Sequence, residues 1–338
     1  MRPSDISTYD NQQLKENKMN VVVTGAAGYI GTCLCKMLLE EFEDIQIKAF
    51  DNLHYNQWNS IDQSIFSNKN IQLYKTDVLL WEDSLVESLR EADYIFPLAS
   101  IVGAPACDEI PEISCSVNYH WFETLISITL DGYQRIIYPN TNSGYGTTAP
   151  DTVCTEETES NPISLYGQLK QSTEDLLLEN YDNSVCFRLA TVFGLSGRPR
   201  LDLLVNNFVY RAVNEGKLDI FDGQFRRNFV SVRDVCRAFL FAMEEENFQK
   251  MKGEVYNLGT DSLNSTKLEF AKKIQEIVGC EVNEHQFKTD PDKRDYLVSN
   301  KKLNSLGFES EDVKLDDRVE ELAEFCNGLD CTNGMFNY

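Results

Sequence analysis

Tyr166 and Lys170 stand four residues apart in the run Tyr166-Gly167-Gln168-Leu169-Lys170, just after Asn161-Pro162, a pair that marks a turn leading into a helix. On a helix this spacing sets phenol and ammonium on one face. A free phenol, with a pKa near ~10, is a poor base at neutral pH, and a fixed cation beside it favours the phenolate by roughly 1–3 units. The pair is therefore suited to moving a proton, although a Tyr and a Lys at this spacing also decorate many exposed helices.

A second group of residues suits a dinucleotide. The run Thr24-Gly25-Ala26-Ala27-Gly28-Tyr29-Ile30-Gly31 follows an apolar strand and opens an apolar helix. Glycines there let the chain turn tightly and approach a pyrophosphate, whose charge rests on the helix N-terminus. Gly25, Gly28, Tyr29, Ile30 and Gly31 are the predicted contacts. Asp51 ends the next strand 20 residues after Gly31, the offset of a carboxylate that bonds the adenosine ribose. Neither Asn52 nor Leu53 offers a cation for a 2′-phosphate, which Asp51 would repel, so NAD is expected rather than NADP.

These residues need elements to hold them. From Asn20 to Ala190 short β-rich runs alternate with helical stretches, the pattern of right-handed crossovers in a parallel sheet. The fold predicted is α/β, a Rossmann-type doubly wound parallel sheet with a smaller α/β substrate-binding domain. Residues 1–18 read as a disordered leader and 19–190 as the NAD-binding domain, with 225–257 returning to it. Residues 191–326 read mainly as the substrate-binding domain and 327–338 as a mobile tail. A long helix is expected over about 113–130 and another over about 164–181.

With these motifs together, the chain resembles the extended short-chain dehydrogenase/reductases, the NAD-dependent epimerase/dehydratase family that includes UDP-galactose 4-epimerase. The likeness runs from Asn20 to about Leu322 and rests on the glycine run, Thr76-Asp77-Val78, Leu98-Ala99-Ser100, Asn118, and Tyr166 with Lys170. It implies Asp77 and Val78 beside the adenine, with Asn52 nearby, Leu98, Ala99 and Ser100 beneath the cofactor, and Asn118 reaching in from the central helix. It further implies that Thr141 bonds the reacting sugar oxygen, that Tyr166 takes its proton, and that Lys170 also holds the nicotinamide ribose.

The same resemblance bears on the substrate. Asn142 and Ser143 occupy the positions where 4,6-dehydratases carry an Asp-Glu pair, and an amide cannot protonate a leaving hydroxyl. Asn142 is therefore expected only to bind substrate, as are Thr191, in place of the family's asparagine, Arg227 and Arg294. Arg198 and Arg200 are further cationic candidates. The reading is an NAD-dependent nucleotide-sugar epimerase that oxidises C4, with a net 4-dehydrogenase, for example on a GDP-heptose, as its alternative. A dehydratase or a non-catalytic NAD-binding sensor stands behind both.

Composition narrows the partners. Asp and Glu outnumber Lys and Arg by 54 to 31, and a net charge of -23 repels nucleic acid and anionic lipid over most of the surface. An anionic substrate then needs a local basic pocket. The first residues lack the basic and apolar regions of a signal peptide, and no apolar run approaches the roughly 18 residues of a membrane span, so a cytoplasmic address is expected. Ten scattered cysteines read as reduced core residues, and three histidines in no ligand spacing predict no metal site. A homodimer or higher homo-oligomer is expected from the relatives.

Overall fold

A computed structural model of the chain describes residues 18–129, 132–149, 152–285, 295–311, 315–329 and 332–337. Apart from Lys18, the expected leader lies outside the described residues, as does Arg294.

The strands are β1 (Met19–Thr24), β2 (Ile45–Asp51), β3 (Ile71–Lys75), β4 (Tyr94–Pro97), β5 (Arg135–Thr141), β6 (Val153–Cys154) and β7 (Ser184–Leu189). There follow β8 (Thr191–Phe193), β9 (Lys217–Phe221), β10 (Arg226–Ser231), β11 (Glu254–Leu258), β12 (Thr260–Thr266), β13 (Glu281–His285) and β14 (Leu297–Val298). Seven of them form one sheet in the order β11-β7-β5-β4-β1-β2-β3. Each neighbouring pair in it is parallel. The order reverses between β1 and β4, which opens a crevice at the carboxyl ends of the strands, where such sheets bind their ligands.

The helices are α1 (Tyr29–Glu41), α2 (Asp83–Glu91), α3 (Ala104–Glu109), α4 (Pro111–Cys115), α5 (Trp121–Ile128) and α6 (Leu165–Asn180). Then come α7 (Leu204–Glu215), α8 (Val232–Met243), α9 (Glu245–Met251), α10 (Lys267–Val278), α11 (Lys301–Asn304) and α12 (Asp316–Cys326). Because both faces of the sheet are covered, β1 reads Val21-Val22-Val23 with every side chain buried rather than alternating. Val21 and Val23 join Leu34 and Leu38 of α1, Phe239 of α8 and Phe248 of α9. Val22 joins Leu85 of α2, Trp121 and Leu125 of α5 and Leu177 of α6 on the other face. A third core packs Val205 and Val209 of α7 with Phe270 and Ile274 of α10 and Val319 of α12.

Two expectations need correcting. The helix expected over about 113–130 is interrupted: Ser116–His120 form a π-helical turn between α4 and α5. Apolar periodicity hides such an insertion, because the residues on either side still pack. Secondly, residues 332–337, read as mobile, are anchored. Met335 packs with Leu201 and Cys326, and the Leu201 N–H donates to the Met335 carbonyl at 2.8 Å. The glycine and asparagines of Thr332-Asn333-Gly334-Met335-Phe336-Asn337 suggest a tail, but their backbone is used for long-range bonds.

No helix among the described residues is long and apolar enough to cross a membrane. Nor do the described residues hold a cluster of His, Cys, Asp or Glu suited to a metal ion. Their nine cysteines form no disulfide.

Candidate active site

One cleft of about 1300 Å³ runs along the carboxyl ends of β1, β2, β4 and β5. At one end the glycine loop joins β1 to α1. Gly25 has φ +66°, and a Cβ there would lie 2.7 Å from the Ala99 nitrogen. At Gly31 a Cβ would come within 2.3 Å of the Gly25 carbonyl oxygen. The loop therefore lies flat on the Leu98-Ala99 backbone with its N–H groups at the start of α1, a cradle that suits a pyrophosphate. The Ala99 N–H donates to Thr24 Oγ1 at 3.2 Å, which ties β1 to the segment after β4.

Asp51, at the end of β2, is buried but lines the cleft. Its carboxylate accepts from the Leu53 N–H at 2.8 Å, the Ala27 N–H at 3.0 Å and Gln57 Nε2 at 3.2 Å. Burial pushes the carboxyl above its usual range, and these bonds oppose that push. With about four lone-pair sites on a carboxylate, one remains for a ribose hydroxyl. Asn52 donates to Asp77 at 2.9 Å, and Asp77 in turn caps the short turn that begins at Val78. Tyr29, Ile30, Leu98 and Ser100 line the same cleft.

Asn118 does not line it. Its Oδ1 accepts from Ser100 Oγ at 2.8 Å and from the Ile101 N–H at 2.9 Å, while its Nδ2 donates to the Ile101 carbonyl at 2.9 Å. It shapes the floor of the cleft from behind, through the π turn that turns its amide inward.

Thr141, Tyr166 and Lys170 line the same cleft. Ser164 caps α6 by accepting from the Gly167 N–H at 3.2 Å, so the helix begins where Tyr166 and Lys170 share a face. Lys170 is buried, with Nζ 4.1 Å from the centre of the Tyr138 ring. Burial pushes its amine down to about 7, and the nearby Glu174 works against that push. Thr141 is set by its neighbours: its N–H donates to Asn140 Oδ1 at 2.7 Å, and Asn140 Nδ2 donates to Glu174 at 2.5 Å. Glu174, one turn beyond Lys170, also takes the buried Arg188 guanidinium at 2.7 Å.

The substrate candidates divide. Thr191 on β8 and Arg227 on β10 line the cleft, and their strands are parallel neighbours. Asn142 does not line it: the side chain is fully buried, and neither amide atom has a hydrogen-bond partner among the described residues. Its substrate role is thus at odds with the structure, since the turn at Asn142–Tyr145 carries the amide inward while Ser143 faces the cleft. Sequence reasoning missed Lys267, Tyr55 and Asn337, which also line the cleft. A capping box, Thr266 with Glu269, marks Lys267 as the first residue of α10, and this signal was readable.

A parallel sheet whose switch point carries a glycine cradle, with Thr, Tyr and Lys gathered in the same cleft, defines an extended short-chain dehydrogenase/reductase. Within that class the chain belongs to the NAD dependent epimerase/dehydratase family, whose profile matches residues 21–259. The chain is 28% identical to the low-salt glycan biosynthesis protein Agl12 of Haloferax volcanii, over 92% of this chain and all of the relative. UDP-glucuronic acid 4-epimerase from Bacillus cereus, solved with UDP-glucuronic acid and NAD, superposes with a TM-score of 0.79 at 26% identity, covering 91% and 99% of the two chains. UDP-glucose 4-epimerase from Thermotoga maritima, solved with UDP-glucose, gives 0.75 at 27% identity, covering 91% and 98%. The family is NAD-dependent, and the glycine cradle with the remaining acceptor of Asp51 fits that cofactor.

Proposed function

We propose that this chain is a cytoplasmic NAD-dependent nucleotide-sugar 4-epimerase. One observation supports the reading above the others: Thr141, Tyr166 and Lys170 share a cleft with the glycine cradle, while Asn142, where a dehydratase would need its acid, is sealed from that cleft. The site is equipped for oxidation at one carbon, and the two positions after Thr141, Asn142 and Ser143, supply no acid to expel a hydroxyl.

When bound, NAD supplies the acceptor for the C4 hydride and the donor that returns it. Tyr166 takes the proton of the C4 hydroxyl as the carbon is oxidised and gives it back on reduction. Thr141 holds that oxygen through Oγ1, itself fixed by the Ser143 N–H at 3.1 Å. Lys170 would donate to the nicotinamide ribose, and in its protonated form its charge would favour the Tyr166 phenolate. Arg227 and Thr191 line the cleft and would take the diphosphate, since a guanidinium suits bidentate binding of phosphate oxygens in an otherwise acidic chain.

The test incubates purified protein with UDP-, GDP- and dTDP-sugars and follows nicotinamide absorbance together with product NMR. Two interconverting C4 epimers with no net NADH support the proposal, and Tyr166→Phe should abolish their exchange. Accumulation of NADH with a keto sugar would make the enzyme a 4-dehydrogenase instead.

A further inference from the structure

Arg198 is a buried cation whose side-chain hydrogen-bond acceptors among the described residues are all neutral. It lies in the loop between β8 and α7, is 2% exposed, and lines the cleft beside Asp51 and Tyr55. Nε and Nη2 donate to the Gly334 carbonyl at 3.2 and 3.0 Å, and Nη2 also donates to Asn337 Oδ1 at 2.8 Å. The guanidinium carbon lies 5.3 Å from the centre of the Tyr55 ring. Arg200, two residues on, is held by Asp202, whereas Arg198 has no ion-pair partner and its Nη1 no hydrogen-bond partner among the described residues. Burial, then Arg200, pushes its pKa down to about 10, although the carboxylates of Asp202 and Asp51 nearby oppose that push. A guanidinium withdrawn from water onto two neutral acceptors is costly unless an anion completes the site.

The backbone of Arg198 indicates which anion. Its N–H donates to Thr32 Oγ1 at 2.9 Å, and Thr32 lies in the first turns of α1, the helix whose N-terminus faces the glycine cradle. The loop that carries Arg198 is thus tied to the first turn of α1, and its side chain shares the cleft with Asp51. A pyrophosphate suits the start of α1, whereas a 2′-phosphate would lie against Asp51 and be repelled.

We propose that Arg198, held in place by residues 332–337, is a cofactor-binding residue that donates to the pyrophosphate of the dinucleotide. This rests on the reading of the cleft as an NAD site. The anchored segment then belongs to the cofactor site: Gly334 and Asn337 orient the guanidinium, and the Met335 contacts hold them there.

Calorimetric titration of NAD, ADP-ribose, adenosine and NADP into the unmodified protein, Arg198→Gln and Asn337→Ala tests this. Loss of a charge-assisted bond to phosphate should weaken NAD and ADP-ribose by about 10- to 100-fold in Arg198→Gln. Asn337→Ala should produce a smaller loss of the same kind. Adenosine affinity should be unchanged in both, which also shows that the variants are folded. Unchanged NAD affinity in Arg198→Gln overturns the proposal, as does an equal loss for adenosine. A loss confined to NADP overturns it in favour of a 2′-phosphate contact. If the unmodified protein binds no NAD, the cofactor reading itself fails and the proposal falls with it.

Discussion

Thr141 Oγ1 and Ser143 Oγ lie 2.9 Å apart, and the Ser143 N–H also donates to Thr141 Oγ1. The threonine oxygen is therefore oriented from within its own turn before any sugar arrives. Replacing it with Val keeps the branched shape and removes the donor, and kcat should fall by about 10²–10³-fold. Ser143→Ala removes only a supporting contact and should cost less than about tenfold. Steady-state turnover of the sugar substrate checks both, and equal losses would contradict the assigned roles.

Lys170 gives a pH signature. Its amine falls from the ordinary 10.5 to about 7 because folding buries it. Between those values the unfolded chain holds a proton that the folded chain does not, so stability rises with pH across that window. Lys170's contribution is fully favourable above about 10.5, is lost as pH falls toward about 7, and stays lost below that. Urea unfolding from pH 7 to 10 should show this slope as a difference between the unmodified protein and Lys170→Met.

The pair of Glu174 and Arg188 lies wholly inside the protein, and Glu174 also receives Asn140 and Gln171. Glu174→Gln would leave the guanidinium charged without its counter-ion. Breaking such a pair from one side costs about 3–5 kcal/mol. Chemical denaturation measures the loss, and kcat should fall as well, because Asn140 would no longer hold Thr141 in place.

Gly31→Ala tests the cradle. The added methyl would sit 2.3 Å from the Gly25 oxygen and 2.8 Å from Ala26, both backbone. Overpacking of this kind costs about 1–3 kcal/mol, and displacement of the loop should abolish NAD binding in a titration.

What the sequence made legible was local. The glycine run, the offset from Gly31 to Asp51 and the single helical turn from Tyr166 to Lys170 are short spacings that local geometry interprets directly. What it hid depends on distant partners. Arg198 meets Gly334, 136 positions away, and no periodicity encodes that bond. Lys170 loses much of its affinity for a proton because the folded chain buries it, so its charge could not be read from its own helix. Asn142 looked available because it follows Thr141, yet the turn sends its amide inward.

The π turn at Ser116–His120 makes helix length here a matter of function. Such a turn holds one residue more than an α-helical one, and the Asn118 carbonyl accepts from Thr173 Oγ1 at 2.6 Å. Deleting one residue from that stretch would let ordinary helix re-form and rotate everything upstream by roughly 100° relative to everything downstream. Asn118 would then swing off the loop at Ser100 and Ile101, so homologous insertions or deletions at this point would reshape the cofactor floor without touching any residue that faces it.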